Sequence, residues 1–299
     1  MISFAMDNFA DRLVAAIGRK NSRVVVGLDP RLESLPAEFR RGAENDIEAA
    51  GRALLDFNAK LIEIVAPHAV AVKPQVAFYE KLGPLGLVIY FATLKHARDH
   101  GLLVIGDVKR GDVPETAKAY AEAHAVAFPS DALTVNPFFG SDGIDPFVQV
   151  AAKMGTGIFV LVKTSNPKSG EIQDLPVEGR PLYLHLAERV AAWGAPLMGA
   201  CGYSSMGAVV GATHPAQAAE IRKALPQAFF LVPGYGAQGG SSADLKPCFN
   251  ADGLGAVVNS SRGIIFAWEK GPCKGMPWEK AVEKAVVDMK ADINQALGI

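Results

Sequence analysis

Short apolar runs alternate with longer amphipathic stretches along this chain, and that rhythm constrains its fold more than any other feature. The runs are Arg23–Asp29, Ala69–Lys73, Leu102–Lys109, Ala132–Asn136, Gly157–Lys163, Ala208–Thr213, Ala228–Pro233 and Gly255–Ser260. They are rich in Val, Ile, Leu and Ala and lack strict polar alternation, as parallel strands covered on both faces do. Between them lie helical stretches such as Asp46–Ala66, Gly86–Asp99, Pro114–Ala127 and Pro215–Ala224. Near the C-terminus Val282, Val286, Met289, Ile293 and Leu297 fall on one helical face. Eight strand–helix units in 299 residues predict an α/β chain folded as a single (β/α)8 TIM barrel, residues 1–299, with an added N-terminal helix and a C-terminal helix. The competing architecture is an open doubly wound sheet, but no G-x-G-x-x-G follows the first strand. Trp193–Met206, with several Gly and Ser residues, reads as an insertion before the sixth strand.

Bulk properties exclude several classes. A net charge of −1 with no basic block argues against nucleic acid or an acidic membrane surface as a general partner. No apolar run reaches the ~18 residues that a membrane helix needs. The three cysteines, Cys201, Cys248 and Cys273, have no metal-like spacing and form no disulfide framework, so a reducing cytoplasm is expected. Met1–Arg19 carries Asp7 and Asp11 without an early basic cluster and is not expected to be a signal peptide. The six histidines form no convincing metal set, and surface roles are expected for them.

In a barrel the active site sits at the C-terminal ends of the strands. The first strand ends in Asp29-Pro30, the second in Lys73-Pro74 and the third in Asp107-Val108-Lys109. Adjacent strands therefore deliver alternating charges to one end, where each keeps its neighbour ionised. Asp107 and Lys109 share one side of their strand, a carboxylate–ammonium pair able to handle a proton. Asp112 has a competing local explanation: with Pro114 and Glu115 after it, it resembles a helix cap, and Thr116 would then be a first-turn residue.

The last two strands open into Pro233-Gly234-Tyr235-Gly236-Ala237-Gln238-Gly239-Gly240 and Asn259-Ser260-Ser261-Arg262-Gly263. Barrels often bind phosphate at these loops. Pro233, Gln238, Ser261 and Arg262 are the binding candidates there, Arg262 as a forked donor. Thr164-Ser165-Asn166-Pro167 after the fifth strand offers polar groups for a heterocycle, though it is equally good turn chemistry. Lys163 and the region around Cys273 carry no assignable role.

These motifs, together with Gly27-Leu28-Asp29-Pro30, Val72-Lys73-Pro74-Gln75, Asp107–Thr116 and Gly211-Ala212-Thr213, occur in order over most of the chain. In this the chain resembles orotidine 5′-phosphate decarboxylase, in particular its longer bacterial subfamily. The resemblance implies decarboxylation of orotidine 5′-monophosphate to UMP in pyrimidine synthesis, without a metal or an organic cofactor. It implies a charged tetrad of Lys73, Asp107, Lys109 and Asp112, with Lys109 as the proton donor. Asp29 and Lys73 would hold the ribose, Ser165 the pyrimidine, and Gln238 and Arg262 the phosphate beneath a lid at Gly234–Gly240. It also implies a homodimer in which Asp112 and Thr116 reach the partner's site. The alternatives are a Mg²⁺-dependent sugar-phosphate decarboxylase or epimerase sharing the third-strand motif, and a catalytically silent nucleotide-binding barrel. Lys73 stands where the metal-dependent enzymes use an acidic residue.

Overall fold

The computed structural model describes residues 7–43, 46–236 and 240–299. Eight parallel strands close into a barrel: β1 (Val24–Leu28), β2 (Ala71–Pro74), β3 (Leu103–Arg110), β4 (Ala132–Val135), β5 (Gly157–Lys163), β6 (Ser204–Val210), β7 (Ala228–Pro233) and β8 (Ala256–Ser260). Each pairs with its sequence neighbours, and the ring closes where Val24, Val25 and Val26 of β1 meet Val258, Asn259 and Ser260 of β8.

Both faces of the barrel wall are apolar, yet the strand period still sorts residues between them. Val25, Ala71, Ile105, Ala132, Phe159, Val209, Phe229, Leu231 and Val257 share an inner cluster. Their neighbours Val24, Val26, Val72, Val104, Leu133, Val160 and Val258 pack outward beneath the helices. Helix α1 (Phe9–Lys20) plugs the N-terminal mouth of the barrel, burying Phe9, Leu13 and Ile17 in the inner cluster. Phe9 meets Phe159 edge to face at 6.0 Å. A Cβ on Gly157 would stand 2.3 Å from the Phe9 ring, so only glycine fits there.

The outer layer follows the expected helices. Helix α2 (Ile47–Val65) starts at Asp46, whose carboxylate accepts from Glu48 N at 2.9 Å. Helix α3 (Gly83–Asp99), α4 (Pro114–Glu122), α5 (Gly140–Met154), α6 (Leu182–Gly194) and α7 (Pro215–Ala224) follow strands two to six. The unit after β7 is short, a single α-helical turn at Ser242–Leu245 followed by a 3-10 turn at Lys246–Cys248. Helix α8 (Trp278–Leu297) buries Val282, Val286, Met289 and Ile293, the predicted face. No described helix is long and apolar enough to cross a membrane.

Three expectations need correction. The sixth strand begins at Ser204, four residues before the predicted start, and ends at Val210 rather than Thr213. Its polar start is tolerated because Ser204 Oγ donates to Gly194 O (2.7 Å) and Ser205 Oγ to Asn8 Oδ1 (2.8 Å). Trp193–Met206 is no insertion: it spans the end of α6, a short connection and the start of β6. The added segment lies instead between β5 and α6, where Pro176–Val177 and Arg180–Pro181 form a small hairpin. Glu178 and Gly179 at its tip both have positive φ, as a type I′ turn requires. Cys273 is a buried packing residue beside Ala267 and Ala281.

The third correction concerns His124, which is buried rather than at the surface. It sits in the π-helical turn Ala123–Ala127, stacked between Tyr120 and Phe128. Burial, with the Arg110 guanidinium nearby, pushes its pKa down to about 4. The folded value lies below the unfolded one, so its contribution to stability is full above about pH 6.5 and is lost as pH falls toward about 4. Urea melts should therefore show the wild type losing about 2 kcal/mol more than His124→Phe between pH 7 and pH 5. Equal losses in the two proteins would contradict this.

Candidate active site

The inward row of each strand continues past the apolar interior into polar residues at the C-terminal mouth. After Ala71 comes Lys73, after Ile105 come Asp107 and Lys109, and after Ala132 comes Thr134. After Val257 comes Asn259. The alternation that fills the barrel thus also aims these side chains at one point.

Asp107 is the centre of that point. Its Oδ2 lies 2.5 Å from Lys73 Nζ and its Oδ1 2.5 Å from Lys109 Nζ. Lys73 and Asp107 are each 6% exposed, whereas the Lys109 side chain is 44% exposed and open to a ligand. Burial alone would raise the Asp107 carboxyl, but the two ammonium groups hold it well below the usual carboxylate range. Burial likewise opposes the charge on Lys73, yet the Asp107 and Asp29 carboxylates outweigh it and raise its pKa. Lys73 and Asp107 are therefore both ionised throughout the neutral range.

The backbone at Lys109 is held in the left-handed region, φ +46°. For a residue with a Cβ this costs about 1–3 kcal/mol and persists only where neighbours enforce it. The enforcing neighbour is Thr134. Its hydroxyl accepts from Lys109 N (3.0 Å) and donates to Asp107 Oδ1 (3.0 Å). The β3–β4 register shifts between Gly106 and Arg110, where the strand turns to present Lys109. Sequence reasoning passed over Thr134; its one signal is a hydroxyl inside the apolar run Ala132-Leu133-Thr134-Val135.

Beside this row lies a cavity of about 320 Å³ lined by Asp29, Arg31, Lys73, Pro233, Gly234, Tyr235, Asn259, Ser260, Ser261 and Arg262. Five predicted residues meet there: Asp29, Lys73, Pro233, Ser261 and Arg262. Asp29 Oδ1 and Asn259 Oδ1 are buried with no hydrogen-bond partner among the described residues, so two acceptors await donors. Arg262 is exposed and makes no ion pair among the described residues. With Arg31, which also lines the cavity, it supplies a second guanidinium group for an anion. Gly27 lets Ser261 lie against β1, since a Cβ there would stand 1.9 Å from Ser261 Oγ. Gln238 lies outside the described residues, as does the centre of the predicted lid. Tyr235 and Gly240 pair on either side of it.

Other candidates stand apart within one chain. Ser165 is held at the mouths of β5 and β6, where its carbonyl accepts from Thr213 Oγ1 at 3.3 Å. A Cβ on Gly211 would meet Ser165 Cα at 2.7 Å, which explains glycine at that position. Asp112 joins neither lysine; its carboxylate accepts from Val113 N at 2.7 Å. Val113, not Asp112, occupies the N-cap of α4, and no side-chain cap bond forms, so the local capping explanation fails. Thr116 is exposed on the first turn of α4.

Lys163, without a role in the sequence, is wholly buried. Its ammonium pairs with Asp174 at 2.6 Å and lies 5.8 Å from the Tyr183 ring centre. Together with Thr164 N donating to Gln173 Oε1 (2.9 Å), it ties the added β5–α6 segment down beside Ser165. An ammonium inside an apolar run was its signal, and only the fold reveals its partner.

The family model described as "Orotidine 5′-phosphate decarboxylase / HUMPS family" matches residues 22–271. Orotidine 5′-phosphate decarboxylase of Rhodopirellula baltica is 45% identical over 300 residues, covering 96% of this chain and 99% of that protein. The Caldicellulosiruptor bescii enzyme of the same name is 39% identical over 306 residues, covering 98% of this chain and all of its relative. The solved structure of Leishmania donovani OMP decarboxylase superposes with a TM-score of 0.79 at 31% identity, covering 98% of this chain and 99% of that one. Matched along nearly its whole length in sequence and in barrel architecture, the chain belongs to the orotidine 5′-phosphate decarboxylase / HUMPS family.

Proposed function

We propose that this protein removes CO2 from orotidine 5′-monophosphate to give UMP, a step of pyrimidine biosynthesis. The observation that carries the reading is the buried Lys73–Asp107–Lys109 row at the barrel mouth. Breaking the C6–CO2 bond leaves an electron pair on C6 of the pyrimidine with little resonance relief. Lys109, exposed and charged beside that position, stabilises the pair electrostatically and then donates its proton to C6. Asp107 lies near the departing carboxylate and orients Lys109. Asp29 and Lys73 bind ribose hydroxyls, which supply the donors that Asp29 Oδ1 lacks. Ser165 reads the pyrimidine. Pro233, Ser261, Arg262 and Gln238 surround the 5′-phosphate, and phosphate binding remote from C6 is directed toward the transition state.

Asp112 and Thr116 act across a homodimer interface. The support is local: Asp112 pairs with no lysine of its own chain among the described residues. The surface around it exposes Val113 (53%), Phe138 (88%) and Phe139 (44%). Such a cluster of large apolar side chains fits burial against a second copy. The proposed reaction needs neither metal nor organic cofactor, because Lys73 puts a cation where a metal-dependent relative would need a carboxylate. The cytoplasm is the proposed compartment.

Purified protein should convert orotidine 5′-monophosphate to UMP, followed by loss of orotate absorbance, at the same rate with and without EDTA. No conversion at micromolar enzyme, or abolition by EDTA, would overturn the reading. Lys109→Ala should lower kcat by at least about 10³-fold while UMP binding persists, since it removes both the proton donor and the charge. Retained turnover would refute the donor role. Mixing Lys109→Ala with Asp112→Ala should restore activity in heterodimers carrying one intact site; additive inactivity would contradict the shared site.

A further inference from the structure

Helices α2 and α3 pack side by side on the outside of the barrel. Each runs toward the N-terminal end of the strand that follows it, so their C-terminal ends lie on the face opposite the charged row. There Glu63 of α2 approaches His96 of α3 and His100, the residue that caps α3. A carboxylate oxygen of Glu63 and one ring nitrogen from each histidine lie within 4.8 Å of one another, the one such group among the described residues. We propose that these three residues bind a divalent transition-metal ion of the imidazole-preferring class, Zn²⁺ above all, which clamps α2 to α3.

The donor chemistry and its arrangement support this. His96 and His100 are four residues apart, so the helical repeat puts both rings on one face, with centres 4.3 Å apart. His100 Nδ1 lies 2.9 Å from His96 O, which fixes that ring and leaves Nε2 for a ligand. His96 Nε2 is buried with no hydrogen-bond partner among the described residues. A buried ring nitrogen without a partner is costly, and a metal bond would satisfy it. Two imidazoles and one carboxylate suit Zn²⁺ with water in a fourth position, whereas Mg²⁺ and Ca²⁺ want oxygen donors. Donors at about 2.0–2.2 Å from a tetrahedral ion stand about 3.4 Å apart. The side chains need close by at most about 1.4 Å, within the rotamer freedom of a site whose Glu63 and His100 are exposed. The standing competitor is Lys60, whose ammonium lies 3.3 Å from Glu63. That contact is a surface pair that a divalent ion displaces readily.

The test is calorimetric titration of EDTA-stripped, dialysed protein with Zn²⁺, with Mg²⁺ as the control ion and thermal melts alongside. One Zn²⁺ per chain should bind in the micromolar range and raise Tm, and Mg²⁺ should do neither. Losing an outer-shell partner commonly weakens a metal site about 10–100-fold. His100→Asn, which removes a ligand outright, should therefore weaken binding by at least about 100-fold, and Glu63→Gln by at least about 10-fold. Both variants should melt with the wild type in EDTA, which separates loss of a ligand from loss of fold. Absence of saturable Zn²⁺ binding, or binding undiminished in His100→Asn and Glu63→Gln, would overturn the proposal. The site is independent of the reaction proposed above, so orotidine 5′-monophosphate turnover should be equal in Zn²⁺-loaded and stripped protein. Turnover that depends on Zn²⁺ would place the ion at the other face and refute the clamp.

Discussion

Asp107 binds two ammonium groups at once, and the architecture of the barrel mouth depends on that sharing. A lone carboxylate buried to this extent would pick up a proton, and a lone buried lysine would lose one. Placed on neighbouring strands, Lys73 and Asp107 keep each other charged inside the wall, and Lys109 completes the row at the rim. Removing Lys73 or Asp107 leaves its partner's buried charge without full compensation, so those two act as a unit. The left-handed turn at Lys109 and the Thr134 hydroxyl beneath it belong to the same unit. They convert a strand that would continue outward into one that presents an ammonium to a ligand.

The barrel divides its labour between its two ends. At the N-terminal mouth, α1 and the inner apolar cluster close the interior, and connections such as Ser204 to Gly194 carry structural hydrogen bonds. At the C-terminal mouth the same inward rows end in charged and hydroxyl-bearing side chains with unpartnered acceptors. Gly27 and Gly211 make this end possible, since each lets a binding loop lie against a strand where any side chain would collide. The inferred Zn²⁺ clamp belongs to the structural end, which is why it is expected to alter stability without altering chemistry.

Much of this was legible in the sequence. Seven of the eight strands lie within two residues of their predicted bounds, because runs such as Gly157–Lys163 and Ala228–Pro233 are long, apolar and bounded by turn residues. The sixth was displaced because Ser204 and Ser205 carry no apolar signal, and their hydroxyls are satisfied only by residues distant in sequence. Lys73, Asp107 and Lys109 stood out as charges ending apolar runs. Thr134 and Asn259 did not, since a hydroxyl or amide at a strand end is ordinary until the fold shows what it faces, and neither did Arg31, which lies in the turn beyond β1. The burial of Lys163 against Asp174 was equally hidden, as its partner lies on a segment without strong periodicity. Local pattern suggested a cap at Asp112; the observed cap at Val113 shows that nearby Pro and Glu residues were not enough to decide it.

The central claim is that Lys73 and Asp107 function as one coupled element, and a double-mutant cycle tests it most directly. kcat/KM for orotidine 5′-monophosphate would be measured for Lys73→Met, Asp107→Asn and the double variant. A coupled pair predicts that the double variant loses little more activity than the more damaging single one, because the first substitution already dismantles the row. Losses that multiply, as for two independent groups, would contradict the account.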